Sequence, residues 1–212
     1  MSNQPPAIDT YAGLRGWFGD IDVYLFDQLL KGRLTPGMRV LDAGCGGGRN
    51  LVYLLRSGYA VCGVDESREA VAHVRSLASA LAPHLPADNF RAERVEAMSF
   101  ADDSFDVVIS SAVLHFASDE GHWGGMVREM WRVLKQGGVF FARLASDIGL
   151  EDQVERLGGR RYRLPDGSDR FLVNEPMLLA AADSLGGELL EPLKTVVVQH
   201  MRSMSTWCLR KT

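Results

Sequence analysis

Val40-Leu41-Asp42-Ala43-Gly44-Cys45-Gly46-Gly47-Gly48 is an apolar run of strand length that closes on an acidic residue and a cluster of glycines. Followed at once by a helical pattern, it reads as a strand, a sharp turn and a helix start. Gly44, Gly46 and Gly48 let the backbone turn tightly and approach a ligand closely. Outward from this stretch the same rhythm repeats. Apolar runs at 39–43, 60–65, 90–95, 105–112 and 139–144 alternate with helical patterns at 49–57, 67–81 and 122–135. This alternation predicts parallel strands joined by right-handed crossovers, with helices on both sheet faces. Val107-Val108-Ile109 and Val139-Phe140-Phe141 fit strands covered on both sides.

The flanks differ in character. Upstream, Ile21, Leu25, Leu29 and Leu30 share one helical face ahead of Gly32 and Pro36-Gly37, and residues 1 to about 10 read as a polar, loose tail. In 122–135, Met126, Met130, Val133 and Leu134 fall at core spacing, and Lys135-Gln136-Gly137-Gly138 is expected to end the helix. Beyond the fifth strand, 146–174 is charged and turn-rich, with Pro165-Asp166-Gly167-Ser168 a turn between two extended pieces. A helix over 175–185, stopped by Gly186-Gly187, precedes alternating runs at 189–199 and 204–210, close enough to pair antiparallel. The expected organisation is an arm and helix over 1–38, serving as a lid, and one α/β domain over 39–212 with a cap-like insertion at 146–174.

Composition narrows the function classes. With 212 residues, 46% hydrophobic and 24% charged, the chain suits one α/β domain with modest additions. A net charge of -4 leaves no electrostatic footprint for nucleic acid. No run reaches membrane-spanning length, and the start lacks a basic and apolar leader pattern. Cys45, Cys62 and Cys208 are odd in number and widely spaced, which fits reduced thiols, so the expectation is a soluble cytoplasmic protein, a monomer or homodimer. No His, Cys or carboxylate cluster has metal-ligand spacing.

The glycine loop sorts cofactors by charge. A dinucleotide fingerprint needs a small residue five positions after its first glycine, where this chain has Arg49. Asp42, at the mouth of the loop, repels a pyrophosphate and attracts a cationic amino-acid cofactor. Asp65, at the end of the second strand, is placed to accept from both hydroxyls of a ribose; its alternative is to cap the helix that follows, a role open equally to Ser67.

Five segments in register resemble class I S-adenosylmethionine (SAM) dependent methyltransferases: Val40 to Gly48, Gly63-Val64-Asp65, Glu96-Ala97-Met98-Ser99-Phe100, Asp103 to Val108, and Leu134 to Gly138. The resemblance covers about 39–145. It implies a Rossmann-like, doubly wound, seven-stranded, mostly parallel sheet with an antiparallel C-terminal strand. Gly46-Gly47-Gly48-Arg49-Asn50 and Gly58-Tyr59 are similar to the tellurite-resistance type of small-molecule methyltransferases. The resemblance places Asp42, Gly44 and Gly46 around the methionine part of SAM, Asp65 on the ribose, and Glu96, Ala97 and Met98 beside the adenine. It sets Ser111 against the cofactor amino group. Glu96 departs from the Asp more common in the family, and Gln136 from the common Pro. The implied reaction is methylation of a small molecule, with S-adenosylhomocysteine as the second product. The rival readings are a SAM-binding regulatory or scaffold protein and, on the loop alone, a NAD-dependent oxidoreductase.

Methyl transfer from a sulfonium is an in-line displacement that alignment and exclusion of water can drive, and a base is needed only for a neutral acceptor. His115, just beyond the fourth strand, is the leading base, against the alternative of a packing histidine. Arg143 and Asp147 flank the end of the fifth strand, either to grip an acceptor or to pair with each other. Tyr11, Arg15 and Trp17, in a glycine-punctuated aromatic stretch, suit a flap over the cofactor, unless Trp17 and Phe18 anchor the first helix. Arg160, Arg161 and Arg163 form either an anion-attracting cluster or a solvated one.

Overall fold

The structure is a computed structural model that describes residues 8–212. The first part of the expected tail, residues 1–7, lies outside them. The chain divides after Arg94 into two compact units.

In the first unit, helices α1 (Tyr11–Phe18) and α2 (Val23–Leu30) precede β1 (Arg39–Ala43), α3 (Val52–Arg56), β2 (Ala60–Asp65), α4 (Arg68–Leu81) and β3 (Phe90–Ala92). β2 pairs in parallel with both β1 and β3, as the alternating pattern predicts. Three helices begin on side chains that accept an orphan backbone N–H: Thr10 from Gly13, Asp22 from Tyr24 and Ser67 from Ala70. Each such cap contributes about 1 kcal/mol. The glycine-punctuated stretch expected as a flap is the helix α1. Its Phe18 stacks on Tyr53 at 5.3 Å and meets Phe26 edge-on at 5.1 Å, so this ring anchors the helix, while Tyr11 stays 77% exposed. α3 is shorter than the expected 49–57, because Gly48, Arg49 and Asn50 are spent on the turn.

The second unit holds β4 (Phe105–Ser111), α5 (Glu120–Val133), β5 (Leu134–Ala145), β6 (Glu155–Gly158), β7 (Arg161–Arg163), β8 (Asp169–Phe171), α6 (Glu175–Leu185), β9 (Gly187–Leu189), β10 (Lys194–Val198) and β11 (Arg202–Lys211). β4 and β5 are parallel, and β11 runs antiparallel to β5, β9 and β10. The helix expected to end at Lys135-Gln136-Gly137-Gly138 stops at Val133. Leu134 already pairs with Phe105 in strand register, and Lys135 is drawn to Asp106 at 2.7 Å. Met126 and Met130 are core residues, as their spacing predicts.

The insertion is a three-stranded antiparallel sheet, β6-β7-β8, with Pro165 to Ser168 turning between β7 and β8. It carries a core of its own in Leu150, Leu164 and Leu172 against Ala145. It is also pinned by aromatic stacking: Trp123 lies 6.3 Å from Phe171 of β8 and 6.3 Å from Trp207 of β11. Burial of rings of this size contributes more than any single polar contact in the insertion.

The turn at Gly48 tests the packing of the first unit. Gly48 has φ +77, and a Cβ there would lie 3.1 Å from both Leu77 and Val74 of α4. Gly48→Ala is expected to lower unfolding free energy by about 1–3 kcal/mol in urea titrations. Gly47→Ala, whose Cβ would meet only His73 at 4.0 Å, is expected to leave it nearly unchanged.

Candidate functional site

In the first unit the loop between β1 and α3 is drawn tight by its own backbone. The N–H groups of Gly44 and Cys45 both donate to the Val64 carbonyl, at 2.8 and 2.9 Å, and Gly48 N–H closes back on the Cys45 carbonyl at 2.9 Å. Gly44, Gly46 and Gly48 all take positive φ, which only glycine adopts without strain. A Cβ on Gly46 would meet no atom within 4 Å, so the space over it is open to a ligand.

Asp65 joins the loop to the end of β2. Its Oδ2 accepts from Gly46 N–H and its Oδ1 from Ser67 N–H, both at 2.9 Å. Ser67, not Asp65, caps α4. Each Asp65 oxygen keeps lone-pair capacity for a further donor, as a role on vicinal hydroxyls requires. Arg49, at the position that argued against a dinucleotide, reaches Asp22 Oδ2 at 3.4 Å, and Asn50 Oδ1 accepts from Asp22 N–H at 3.0 Å. The loop is thereby tied to the start of α2.

Asp42 is 1% exposed, and neither of its carboxylate oxygens has a hydrogen-bond partner among the described residues. Burial pushes its pKa up to about 7, with nearby Arg49 and Asn50 opposing and Asp65 adding. A buried carboxylate with nothing to bind is costly to a fold, and here it sits beside a glycine turn open to a ligand. A cationic ligand group supplies what it lacks. These residues fit the ammonium-bearing, ribose-bearing end of SAM and do not fit a pyrophosphate.

In the second unit, a Glu96 carboxylate oxygen lies 3.4 Å from Nε2 of His122 on α5. Met98 N–H donates to Glu129 Oε1 at 2.8 Å and its carbonyl accepts from Arg132 at 3.1 Å, so the Met98 N–H is already spent within the protein. Arg132 also donates to the Phe100 carbonyl at 2.8 Å and pairs with Glu129 at 2.7 Å. This grip of α5 on 96–100, with Ala97 inside it, is missed by sequence reasoning; its trace in the sequence is the pair Glu129 and Arg132, three apart on an amphipathic helix.

Ser111 ends β4 and is followed by Ala112 at φ +65, a left-handed conformation that costs a non-glycine residue about 1 kcal/mol or more. Ala112 is held there by its N–H to the Arg143 carbonyl at 2.8 Å. His115 lies in a short turn of helix at 114–116, 6% exposed, with Nδ1 buried and unbonded. Burial and the nearby charges of Arg170 and Arg143 push its pKa down to about 4. Asp147 pairs with Arg160 at 2.7 Å, which replaces the expected pairing with Arg143. Arg161 donates to the Ala117 carbonyl at 3.3 Å and Arg163 pairs with Asp169 at 3.0 Å, so one arginine of the cluster fastens the insertion to the turn after β4 and another braces the β7–β8 hairpin. Tyr11 and Arg15 are not drawn into the first unit's loop; Arg15 pairs with Asp20 at 3.0 Å across exposed surface. Trp17 stands between them and Phe18 on α1. Among the described residues no cluster of His, Cys, Asp and Glu could hold a metal ion, and no helix is long and apolar enough to cross a membrane.

Residues 41–142 match the family described as Methyltransferase domain. The chain is 32% identical over 151 residues to an arsenite methyltransferase of Aquipseudomonas alcaligenes, an alignment covering 63% of this chain and 43% of that protein. It spans less than half the length of the curated relatives it matches. Among solved structures it is similar to a protein of Pyrococcus horikoshii OT3, with TM-score 0.72, 18% identity, and coverage of 98% of this chain and 95% of that one. It is similar also to the 1,6-didemethyltoxoflavin-N1-methyltransferase of Burkholderia thailandensis, solved with S-adenosylhomocysteine, at TM-score 0.68 and 20% identity over 95% of this chain and 83% of that one. These likenesses show the fold class expected from the sequence: a seven-stranded, mostly parallel methyltransferase sheet with antiparallel C-terminal strands.

Asp42 gives opposite signs in two measurements. Its raised pKa means the folded chain holds a proton that the unfolded chain releases, so the ligand-free protein loses stability as pH rises from about 4 to about 7. Asp42→Asn is expected to raise ligand-free stability at pH 8 by an order of 2 kcal/mol, and by much less at pH 5. The same substitution is expected to weaken S-adenosylhomocysteine binding at least tenfold by calorimetry at pH 8. In the unsubstituted protein that affinity should fall as pH drops below about 7, and in the variant it should not.

Proposed function

We propose, from the premise that residues 41–142 are a class I SAM-dependent methyltransferase domain, that the protein transfers the methyl group of SAM to a small-molecule acceptor. One observation carries the cofactor side: a fully buried, unpartnered carboxylate, Asp42, beside a glycine turn open to a ligand. When bound, SAM supplies an electrophilic methyl on a sulfonium. Asp42 holds its ammonium group, and the space over Gly44 and Gly46 takes the methionine chain. Asp65, already oriented by Gly46 and Ser67, accepts from the ribose hydroxyls. Ala97 and the Met98 side chain border the adenine on a loop that Glu129 and Arg132 hold in place. Ser111, at the end of β4, would offer its backbone to the cofactor amino group, and the left-handed Ala112 turns the chain directly after it.

The acceptor side rests on the second unit. His115, Arg143 and Asp147 stand at and beyond the ends of β4 and β5, where ligands of open α/β sheets bind. The insertion excludes water from an acceptor there, which displacement at a sulfonium rewards. A small-molecule acceptor is favoured by the net charge of -4 and by the relatives named for arsenite methylation and 1,6-didemethyltoxoflavin N-methylation. Within the family we place the chain with the tellurite-resistance type. Supporting this are Gly46 to Asn50 and Gly58-Tyr59, where Gly58 takes φ +78 and the buried Tyr59 hydroxyl donates to the Leu34 carbonyl at 3.1 Å.

Two measurements test this reading. Asp65→Ala is expected to weaken S-adenosylhomocysteine binding by more than tenfold while far-ultraviolet circular dichroism stays unchanged, and an unaltered affinity would refute the ribose role. Metabolite profiling with SAM is expected to show masses raised by one methyl group only when the protein is added. Tight cofactor binding with no turnover across thiols, oxyanions, amines and phenols would instead identify a SAM-binding regulator.

A further inference from the structure

We propose, resting on the methyltransferase reading above, that the residues following β4 form a subsite for a carboxylate acceptor, with Arg143 and Arg170 supplying positive charge and the buried His115 ring a hydrogen bond.

The geometry is confined to the second unit. His115 is 6% exposed, and its Nδ1 has no partner among the described residues, although a buried ring nitrogen left unbonded is destabilising. Its ring lies 4.6 Å from that of Phe116, and the Arg170 guanidinium of β8 lies 5.0 Å over the same Phe116 ring. Arg143 of β5 stands in register with Ser111 and fixes Ala112 through its carbonyl. The two groups whose charge His115 feels are therefore both cations, one from each strand packed against its turn.

The carboxylates nearby have other work. Asp147 is paired with Arg160 at 2.7 Å and Asp169 with Arg163 at 3.0 Å. Asp166, exposed in the β7–β8 turn, accepts from Ser168 and feels Arg170 and Arg202 alike. The imidazole is kept neutral by burial, with the Arg170 and Arg143 charges adding to the effect, and its pKa comes down to about 4. It is consequently a poor sink for a proton at neutral pH and a good hydrogen-bond donor to an anion.

That arrangement selects an acceptor that needs no base. A carboxylate arrives with its electron pair free. Its oxygen forms the O–CH3 bond as the S–CH3 bond breaks, the bonding electrons pass to sulfur, and the product is a methyl ester beside a neutral thioether. The sulfonium's positive charge and the carboxylate's negative charge both disappear, and no proton moves. In this role His115 positions the acceptor, in place of the base expected from the sequence.

Acetate is the probe, because it fits any carboxylate subsite, and acetamide is its uncharged counterpart. The readout is the Cε1–H resonance of His115 in histidine-labelled protein saturated with S-adenosylhomocysteine, assigned with His115→Asn. Acetate is expected to shift it saturably and to raise its titration midpoint by about one unit; acetamide is expected to do neither. Arg170→Gln should abolish the acetate response while raising the midpoint without acetate, since one repelling cation is gone, and Arg170→Lys should retain much of the response. Arg143→Gln provides a second loss of response should the first variant fail to fold. An equal response to acetamide, or none to acetate in protein that binds S-adenosylhomocysteine normally by calorimetry, overturns the subsite. Failure to bind S-adenosylhomocysteine at all would instead strike the methyltransferase reading, with the acetate response judged separately.

Discussion

The structure depends on a carboxylate that the fold buries and leaves unsatisfied. Asp42 is the penultimate residue of β1, whose Val40, Leu41 and Ala43 are core residues, and because both faces of the strand are covered it is buried along with them. A sequence selected for stability alone would place an apolar or hydrogen-bonded residue there. The surrounding loop is built to sustain the cost. Val64 receives two backbone donors, Asp65 fastens Gly46, and Asp22 holds Arg49 and Asn50. The turn cannot relax outward to hydrate the carboxylate, because both its flanks are tied to β2 and α2. Preorganisation of this kind lets a cationic ligand gain the full electrostatic interaction without first paying to reshape the site.

The second unit stores a smaller strain in the same manner. Ala112 adopts a left-handed conformation directly after β4, fixed by the Arg143 carbonyl, and His115 follows within one turn with a buried nitrogen unbonded. Strain and unmet polar capacity within four residues mark a place where packing is not the objective. The insertion that follows is not a loose lid. It has a small core, it is stacked on Trp123, and its arginines brace it from within, Arg160 on the Leu172 carbonyl, and from without, Arg161 on the Ala117 carbonyl. A rigid cap of this sort contributes shape and dryness more readily than motion.

Much of this was legible in the residues, for physical reasons that also explain what was not. Strand-length apolar runs and a glycine turn fixed the parallel strands because both faces are covered, and the antiparallel pairing of β10 with β11 followed from a turn too short for a crossover. Asp42 and Asp65 were legible because charge and position alone argue for them. The helix end at Val133 was not, since glycine termination and entry into a strand share the signature Lys-Gln-Gly-Gly, and only the pairing of Leu134 with Phe105 separates them. Glu129 and Arg132 show in the sequence only as an i,i+3 pair of opposite charge, and their hold on backbone atoms of 98–100 leaves no mark on side-chain patterns. Asp147 found Arg160 instead of Arg143, because β7 brings that side chain within reach, and a hairpin's register cannot be read from charge spacing.

The two charge environments are opposite in sign, and this bears on how a sulfonium displacement is best catalysed. A fixed carboxylate favours a cationic donor, and fixed guanidinium groups favour an anionic acceptor. Reaction between them converts two ions into two neutral molecules. Water stabilises the separated ions more than the charge-dispersed transition state, so each ion must be drawn out of water by a fixed opposite charge, or the dry site would refuse it. On the proposed reading, Asp42 would do this for the donor at the expense of folding stability, and its burial is what raises its proton affinity in the ligand-free chain. Arg143 and Arg170 would do it for the acceptor, and His115 stays neutral chiefly through its burial, with their charges adding. The anomalies of the two units, a carboxylate that resists ionisation and a histidine that resists protonation, thus share burial as their largest cause, with neighbouring charge of the same sign adding in each.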